Sequence, residues 1–298
     1  MTDAFRLRRG TPADSRLAFD IFVTAVRDLT VRQGTTWDPD PEVLWPRLTP
    51  MLDHLAAHAA EWWVAEDSET GEAIGYGRSV ERGGLFELSE FFVLPGRQSA
   101  GVGTALLDRV FPQGRGEVRV IVATTDVRAL SRYYRAGTAA RFPILALDAT
   151  PRPVARDPAM KVLPADVASI PELVALEREV LGFDRGEEFR WLLEEREGYL
   201  YRRAGELIGF GFVGRTGTGP IAALDAEDQV AMLAHLETRA AELEIPTLAF
   251  EVPSVNEVAM RHLLGRGFRM DPFFTVLMAS RPFGRFDRFI GFSPPFVL

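Results

Sequence analysis

A glycine-rich turn, two glutamates and a pair of tyrosines supply the residue types from which chemistry can be built. In Gln98-Ser99-Ala100-Gly101-Val102-Gly103-Thr104 the glycines stand where the chain enters a helix, because Ala105, Leu106, Leu107, Val110 and Phe111 recur at i+3 and i+4 steps. The first N–H groups of such a helix lack intrahelical partners, and its dipole adds about half a positive charge, so an anion is stabilised there. A Cβ at Gly101 or Gly103 would hold a bulky pyrophosphate away from those N–H groups. Upstream lie Glu87 and Glu90, carboxylates able to take a proton; downstream lie Tyr133 and Tyr134, phenols able to give one. Two familiar phosphate loops do not fit: the third glycine of the dinucleotide fingerprint is missing after Gly103, and no Gly-Lys-Ser/Thr follows.

These residues need a strand before the turn and a sheet beneath it. Leu85 to Leu94 is dense in Phe91, Phe92 and Val93 and stops at Pro95-Gly96, which predicts that strand. Before it, Phe5 to Arg9 predicts a strand, Asp14 to Val26 a helix, and Pro41 to Ala60 a second helix; Glu61 to Asp67 and Ala73 to Arg82 predict a hairpin. After the turn helix come a buried strand at Val118 to Ala123, a helix at Asp126 to Gly137 and a strand at Arg141 to Leu147. The glutamates differ by three positions, so an unbulged strand would turn them to opposite faces. His54 and His58 lie four apart on one helix, but no third ligand accompanies them, and a helix face is the reading taken. No metal site is expected.

At 298 residues the chain exceeds one typical domain, and 47% hydrophobic content fits an ordinary globular protein. A net charge of −8 argues against sequence-independent nucleic-acid binding, which needs a basic face. With no cysteine there is no disulfide, thiolate metal site or cysteine acyl-enzyme. The N-terminus lacks an apolar h-region and no run of 18 apolar residues occurs, so neither a signal peptide nor a membrane span is expected and a cytoplasmic protein is the default. Arginine, in great excess over the single Lys161, hints at a high-GC bacterial genome.

The strand ending Val93-x-Pro95, followed by Gln98-x-x-Gly101-x-Gly103, resembles the acyl-CoA loop of the GNAT N-acetyltransferase superfamily. The resemblance implies a mixed-sheet α/β (α+β) fold with the order β-α-α-β-β-β-α-β-α-β. It implies acetyl-CoA as co-substrate, its pantetheine amides along Phe92, Val93 and Leu94 and its pyrophosphate in the loop that Gln98 opens, on the N–H groups of Ser99, Ala100, Gly101, Val102, Gly103 and Thr104. Asp126 to Gly137 resembles the family's Asn-x-x-Ala-x-x-x-Tyr-x-x-x-Gly-Phe helix, which puts Asp126 and Ala129 at cofactor positions and Tyr133 at that of the general acid, with Asp126 replacing asparagine and Thr138 phenylalanine. Glu87 and Glu90 match acidic positions of two different branches of the family, and this strand splays at a bulge there, which clouds their parity. The second helix borders the acceptor site in the family, where Trp37 and Trp45 either line it or merely pack. The acceptor implied is a primary amine of a small molecule or peptide. A non-catalytic acyl-CoA sensor or scaffold is the alternative.

The order then starts again after a proline-rich linker. Gly71-Glu72-Ala73-Ile74-Gly75-Tyr76-Gly77 matches Gly205-Glu206-Leu207-Ile208-Gly209-Phe210-Gly211 at five of seven positions, 134 residues apart. Two tandem copies are expected: residues 1–150 as the acyl-CoA-binding, catalytic domain, 151–158 as linker and 159–298 as a degenerate, non-catalytic domain. In the second, Gly219 to Asp225 leads straight to a helix without the glycine loop, Asp225 is expected to cap it, and carboxylates there repel a pyrophosphate. Asn256 to Phe268 keeps the helix pattern, but Leu263 stands at the tyrosine position. The tail carries Phe286, Phe289, Phe292 and Phe296, an aromatic surface to be covered by its own chain or by a partner subunit, which leaves a homodimer through the C-terminal domain or tail open.

Overall fold

A computed structural model describes residues 4–97 and 101–298. The elements run β1 (Phe5–Arg9), α1 (Ser15–Arg32), α2 (Pro41–Ala57), β2 (Ala59–Asp67), β3 (Ala73–Arg82), β4 (Leu85–Val93), α3 (Val102–Val110), β5 (Val118–Thr124), α4 (Val127–Arg135) and β6 (Ala139–Ala149). Then follow β7 (Met160–Pro164), α5 (Ile170–Leu181), α6 (Gly186–Glu195), β8 (Glu197–Arg203), β9 (Glu206–Gly214), β10 (Gly217–Ala223), α7 (Asp228–Glu242), β11 (Leu248–Pro253), α8 (Glu257–Arg266), β12 (Arg269–Ala279) and a short β13 (Phe289–Ile290). The sequence β-α-α-β-β-β-α-β-α-β occurs twice, and the fold is the mixed-sheet α/β tandem that the repeat predicts. Contacts divide the chain into one unit of Met1–Ala139 with Met278–Arg281 and another of Ala140–Leu277 with Pro282–Leu298.

In the first unit β1, β2, β3 and β4 pair antiparallel in order, and β5 joins β4 in parallel. α1 packs Phe19, Phe22, Val26 and Leu29 onto the sheet at helical spacing. α2 starts at Asp40, whose side chain accepts from the Glu42 N–H, with Pro41 in the first turn where no N–H is needed. The bulge sits in β4: Arg78 faces Glu90 and Ser79 faces Leu88, so Ser89 is the extra residue. The ladder to β5 covers Leu85–Leu88 against Val118–Ile121 and goes no further.

In the second unit β7, β8, β9, β10 and β13 pair antiparallel in that order. The strand expected to close the first copy, β6, pairs antiparallel with β11, from Ala149 opposite Leu248 to Ile144 opposite Pro253. α7 buries Met232, Leu233, Leu236 and Ala240 against Phe250, Leu263 and Phe268. β10 overlaps the stretch, Gly219 to Asp225, read from sequence as running straight into the helix. α7 begins at Asp228, and Asp225 instead accepts from the Glu227 N–H at 3.0 Å, while Asp228 pairs with Arg203 at 2.9 Å. Phe286, Phe289, Phe292 and Phe296 are all buried by the chain itself; Trp191 stacks on Phe292 with centroids 6.4 Å apart.

Glu251 of β11 lies buried close to Asp271 and Ser293. Burial first, then the Asp271 charge, pushes its carboxyl from 4.5 up to about 8, against a hydrogen bond from Ser293 that lowers it. The folded chain therefore keeps a proton that the unfolded chain releases near 4.5, and the stability linked to it is full below that pH and lost as pH rises toward about 8. The thermal midpoint of the second unit should fall by several degrees between about pH 5 and about pH 8, and Glu251→Gln should flatten that slope. Scanning calorimetry across this range checks it; an unchanged slope in the variant means another group carries the proton.

Candidate active site

Past Leu88 the two parallel strands diverge, and the gap between them is a cleft of about 110 Å³. Its walls are Phe91, Phe92 and Val93 of β4, Ile121 to Thr124 of β5, Ala25, Val26 and Leu29 of α1, and Ala129 and Tyr133 of α4. Alternation sends Phe92 to one side, where it meets Phe22 (5.3 Å) and Tyr76 (5.8 Å), and Phe91 to the other, where it meets the Tyr133 ring edge at 6.1 Å.

Tyr133 is 5% exposed whereas Tyr134 is 53% exposed, so the helix turns only the first toward the cleft. Burial, and then the charge of Asp126, raises the Tyr133 phenol well above its usual value, so it stays protonated at neutral pH. Asp126 caps α4 through the Arg128 N–H at 2.8 Å and pairs with Arg32 of α1 at 3.0 Å. Burial works to raise its carboxyl, but the hydrogen bonds from Arg128 and Arg32 outweigh it and hold the group below the usual carboxylate range. Gln33 adds a second tie from α1, donating to Thr125 at 2.7 Å. These two bonds bridge the rim of the cleft from α1 to the start of α4.

The glutamates share one face, because their β3 partners Arg78 and Val80 are two residues apart. The Ser89 bulge restores the parity that a three-residue separation would break. Glu90, 2% exposed, accepts from Tyr76 Oη at 2.8 Å and pairs with Arg78 Nε at 3.1 Å; Arg78 also donates to the Leu52 carbonyl and lies 4.0 Å from the Trp62 ring centroid. Glu87, fully buried, pairs with Arg82 at 3.2 Å. Neither glutamate is among the cleft walls.

α3 approaches the cleft with its N-terminus. Gly101 caps it at φ +82°, a left-handed conformation that a Cβ makes costly, and among the described residues nothing lies within 4 Å of where that Cβ would be. The amides of Thr104 and Ala105 already donate to the Gly101 carbonyl, so those of Val102 and Gly103 precede the first helical bond. Gly103 lines the cleft, and a Cβ on it would stand 3.4 Å from the Arg132 guanidinium. Of the other cofactor positions, Leu94 donates back to the Ile74 carbonyl at 2.9 Å, and Thr104 faces an adjacent recess of about 330 Å³ that Arg132 also borders. Gln98, Ser99 and Ala100 lie outside the described residues.

Two groups escaped the sequence reading. Arg132 belongs to a stripe, Arg128, Arg132 and Arg135, at i, i+4 and i+7 on α4, a spacing that signals a cationic face. Ser89, the bulged residue, puts into the cleft wall a buried hydroxyl without a hydrogen-bond partner among the described residues; no local signal marks it. Trp37 and Trp45 pack edge-on against Phe22 (5.6 Å) and Phe19 (5.0 Å) and are not among the cleft walls. His54 and His58 lie with ring centroids 4.4 Å apart and planes tilted by 36°, and among the described residues no group of three or more His, Cys, Asp or Glu is placed to hold a metal. No helix among the described residues is long and apolar enough to cross a membrane.

Residues 25–137 match the model of the Acetyltransferase (GNAT) family. No curated protein matches the sequence. Among solved structures the chain is similar to a putative acetyltransferase from Pyrococcus horikoshii at 15% identity, covering 97% of this chain and 94% of that one with a TM-score of 0.75. It is similar to a GCN5-related N-acetyltransferase from Sphaerobacter thermophilus at 15% identity, over 95% and 98% of the two chains, TM-score 0.62. A tandem GNAT protein from the clavulanic acid biosynthesis pathway matches at 13% identity over 93% and 99%, TM-score 0.56. At these identities the likeness is one of fold.

The buried pair at the site supports a stability prediction. Arg78→Met leaves Glu90 charged and without its cation in the core, and should cost about 3–5 kcal/mol by chemical denaturation, whereas Arg78→Met with Glu90→Leu should recover most of it. Equal losses in the single and double variants would show that Arg78 acts through Trp62 and Leu52 alone.

Proposed function

From the premise that residues 25–137 are a domain of the GNAT acetyltransferase family, in a chain with that family's tandem fold, we propose that the protein transfers an acetyl group from acetyl-CoA to a primary amine of a small molecule or peptide. The observation that carries the proposal is the parting of β4 from β5 after Leu88, which opens the β4 edge beside the N-terminus of α3 and beneath Tyr133. An extended arm bearing amides fits along Phe92 and Val93 as an added strand. The Val102 and Gly103 amides, with Arg132 beside them, suit a diphosphate at the end of that arm.

In this reading the amine nitrogen attacks the thioester carbonyl carbon, a C–N bond forms, the C–S bond breaks, and Tyr133 gives its proton to the departing sulfur. A thiol titrates near 8.5 and the buried Tyr133 phenol above its usual 10, so Tyr133 is protonated at neutral pH and gives its proton along a hydrogen bond only as negative charge gathers on the departing sulfur. The amine must shed a proton. Glu90 and Glu87 are tied to Arg78 and Arg82 and stand back from the cleft walls, so either takes that proton through intervening water, and the cleft itself offers the Ser89 hydroxyl to orient such a water. The acceptor reaches the cleft on the α1 and α2 side, the face that both glutamates share.

Titration with acetyl-CoA, followed by a thiol-release assay across a panel of amines, tests this. Acetyl-CoA should bind, at least one amine should release thiol, and Tyr133→Phe should lower turnover by about 10²-fold or more with binding retained. Binding without release for any amine, and no loss in Tyr133→Phe, marks a sensor instead. Arg132→Ala should weaken acetyl-CoA while leaving S-acetylpantetheine, which lacks the diphosphate, nearly unchanged; equal weakening of both would move Arg132 out of the diphosphate site.

A further inference from the structure

The second copy repeats the opening of the central strand, and there the chain fills it. Gly77 faces Phe91 on β4; Gly211, its counterpart in the repeat, faces Ile221 on β10. Phe91 and Phe92 thus correspond to Ile221 and Ala222. β10 carries its own bulge between Thr218 and Ile221. The tail pairs with those very residues, Ile290 opposite Ile221 and Phe289 opposite Ala222. Beyond the bulge Ser293 exchanges both backbone bonds with Thr218, at 3.0 and 3.2 Å, and on the other side the Gly291 N–H donates to the Glu251 carbonyl of β11 at 3.4 Å.

The surroundings fit an extended chain at this place. A Cβ at Gly217 would overlap the Ser293 carbonyl oxygen, and one at Gly219 that of Gly291, so the glycines of β10 are what lets the tail lie so close. Asn256, counterpart of Asp126, caps α8 through the Ala259 N–H and donates from Nδ2 to the Phe289 carbonyl at 3.4 Å. Arg196 donates to the carbonyls of Thr218, Gly219 and Ser293, while Arg185 lies over the Phe289 and Phe292 rings.

We infer that residues 289–293 occupy the donor cleft of the second copy as a built-in substitute for the amide-bearing arm of an acyl-CoA, so that the chain takes one donor molecule, at the first copy alone. The inference rests on the reading of the first cleft given under Proposed function. It accounts for the lack of a glycine loop before α7 and for the tolerance of Asp225 and Asp228 there, since nothing anionic arrives at that helix.

Hydrogen–deuterium exchange on the full chain, with and without acetyl-CoA, reads this. Residues 289–293 should exchange as slowly as β9, and acetyl-CoA should slow exchange in 91–104 while leaving 217–223 and 289–293 unchanged. Fast exchange of 289–293, or protection of 217–223 by acetyl-CoA, overturns the inference. Phe289→Ser with Phe292→Ser frees the tail from Trp191 and Arg185 and leaves β10 intact, with circular dichroism to verify the fold. In that variant S-acetylpantetheine should slow exchange in 217–223 about fivefold or more, and no effect there while the same probe protects 91–94 overturns the substitution of tail for arm. Protection of 217–223 with none in 91–104 upholds the tail's role and overturns the proposed function of the first cleft; protection in neither segment overturns both. Should the double variant not fold, the full-chain experiment decides alone.

Discussion

Two parallel strands that separate partway along leave backbone N–H and C=O groups facing each other across a space too wide for hydrogen bonds, and buried groups of that kind must find partners. β4 and β5 stay paired only from Leu85 to Leu88, and the extra residue Ser89 marks the point of divergence. The other features of the first unit are arranged around that point. Phe91 and Phe92 point to opposite faces of the sheet at the gap, α4 closes one rim with Tyr133 and Asp126, and α3 starts at the other with Gly101 in the left-handed conformation. β10 carries a bulge of its own, and there the tail lies between β10 and β11 and takes up backbone groups of both strands. One constraint thus has two solutions in one chain, an open cleft and a filled one.

Charge is distributed to keep that opening in shape. Arg78 is wholly buried, and its partners are all specific: Glu90, the Leu52 carbonyl and the Trp62 ring. Desolvating such a pair gains little net stability, but it fixes the spacing of β3, β4 and α2 to a single arrangement. Asp126 works differently. It is partly exposed, and by joining the start of α4 to Arg32 it ties the two helices that border the cleft. An asparagine at this place would cap the helix as well but would leave Arg32 without that charge. Asn256 in the second unit shows the other outcome: the cap is kept and the spare amide N–H bonds the tail.

The repeat was legible because five identical residues in seven recur on equivalent strands, and the glycine turn because left-handed Gly101 and the helical spacing after it are local features. Tyr133 rather than Tyr134 followed from the resemblance to the family's helix pattern, in which it stands four residues after Ala129 and four before Gly137. Three features were not legible, each for a physical reason. β10 contains Gly217, Gly219 and Pro220, which carry no strand signal, so Gly219 to Asp225 reads as an approach to the helix; its glycines answer to the close approach of the tail, a contact 72 or more residues away in sequence. The parity of Glu87 and Glu90 depends on one bulged residue, and Ser89 carries no sign that it is the one. β6 reads as a strand wherever it pairs, and nothing in Arg141 to Leu147 says that its neighbour is β11.

The divergence of the copies follows from what each cleft has to hold. A cleft filled by its own chain needs no anion site at the helix that follows, so the constraint on Gly101 and on the turn before it has no counterpart ahead of α7, where Asp225 caps the approach and Asp228 is free to pair with Arg203. Leu263 stands at the position that Tyr133, the proposed proton donor, holds in the first copy, and it contributes only to the core. What it must keep is the geometry that receives an extended backbone, and the bulge in β10, the capping Asn256 and the helix order are all retained. The residues without a counterpart are those proposed to act on a ligand, and those kept are those that accept a strand. That pattern is expected when the occupant of a site changes from a diffusing molecule to a tethered segment, whose binding costs far less association entropy and no longer depends on charge capture.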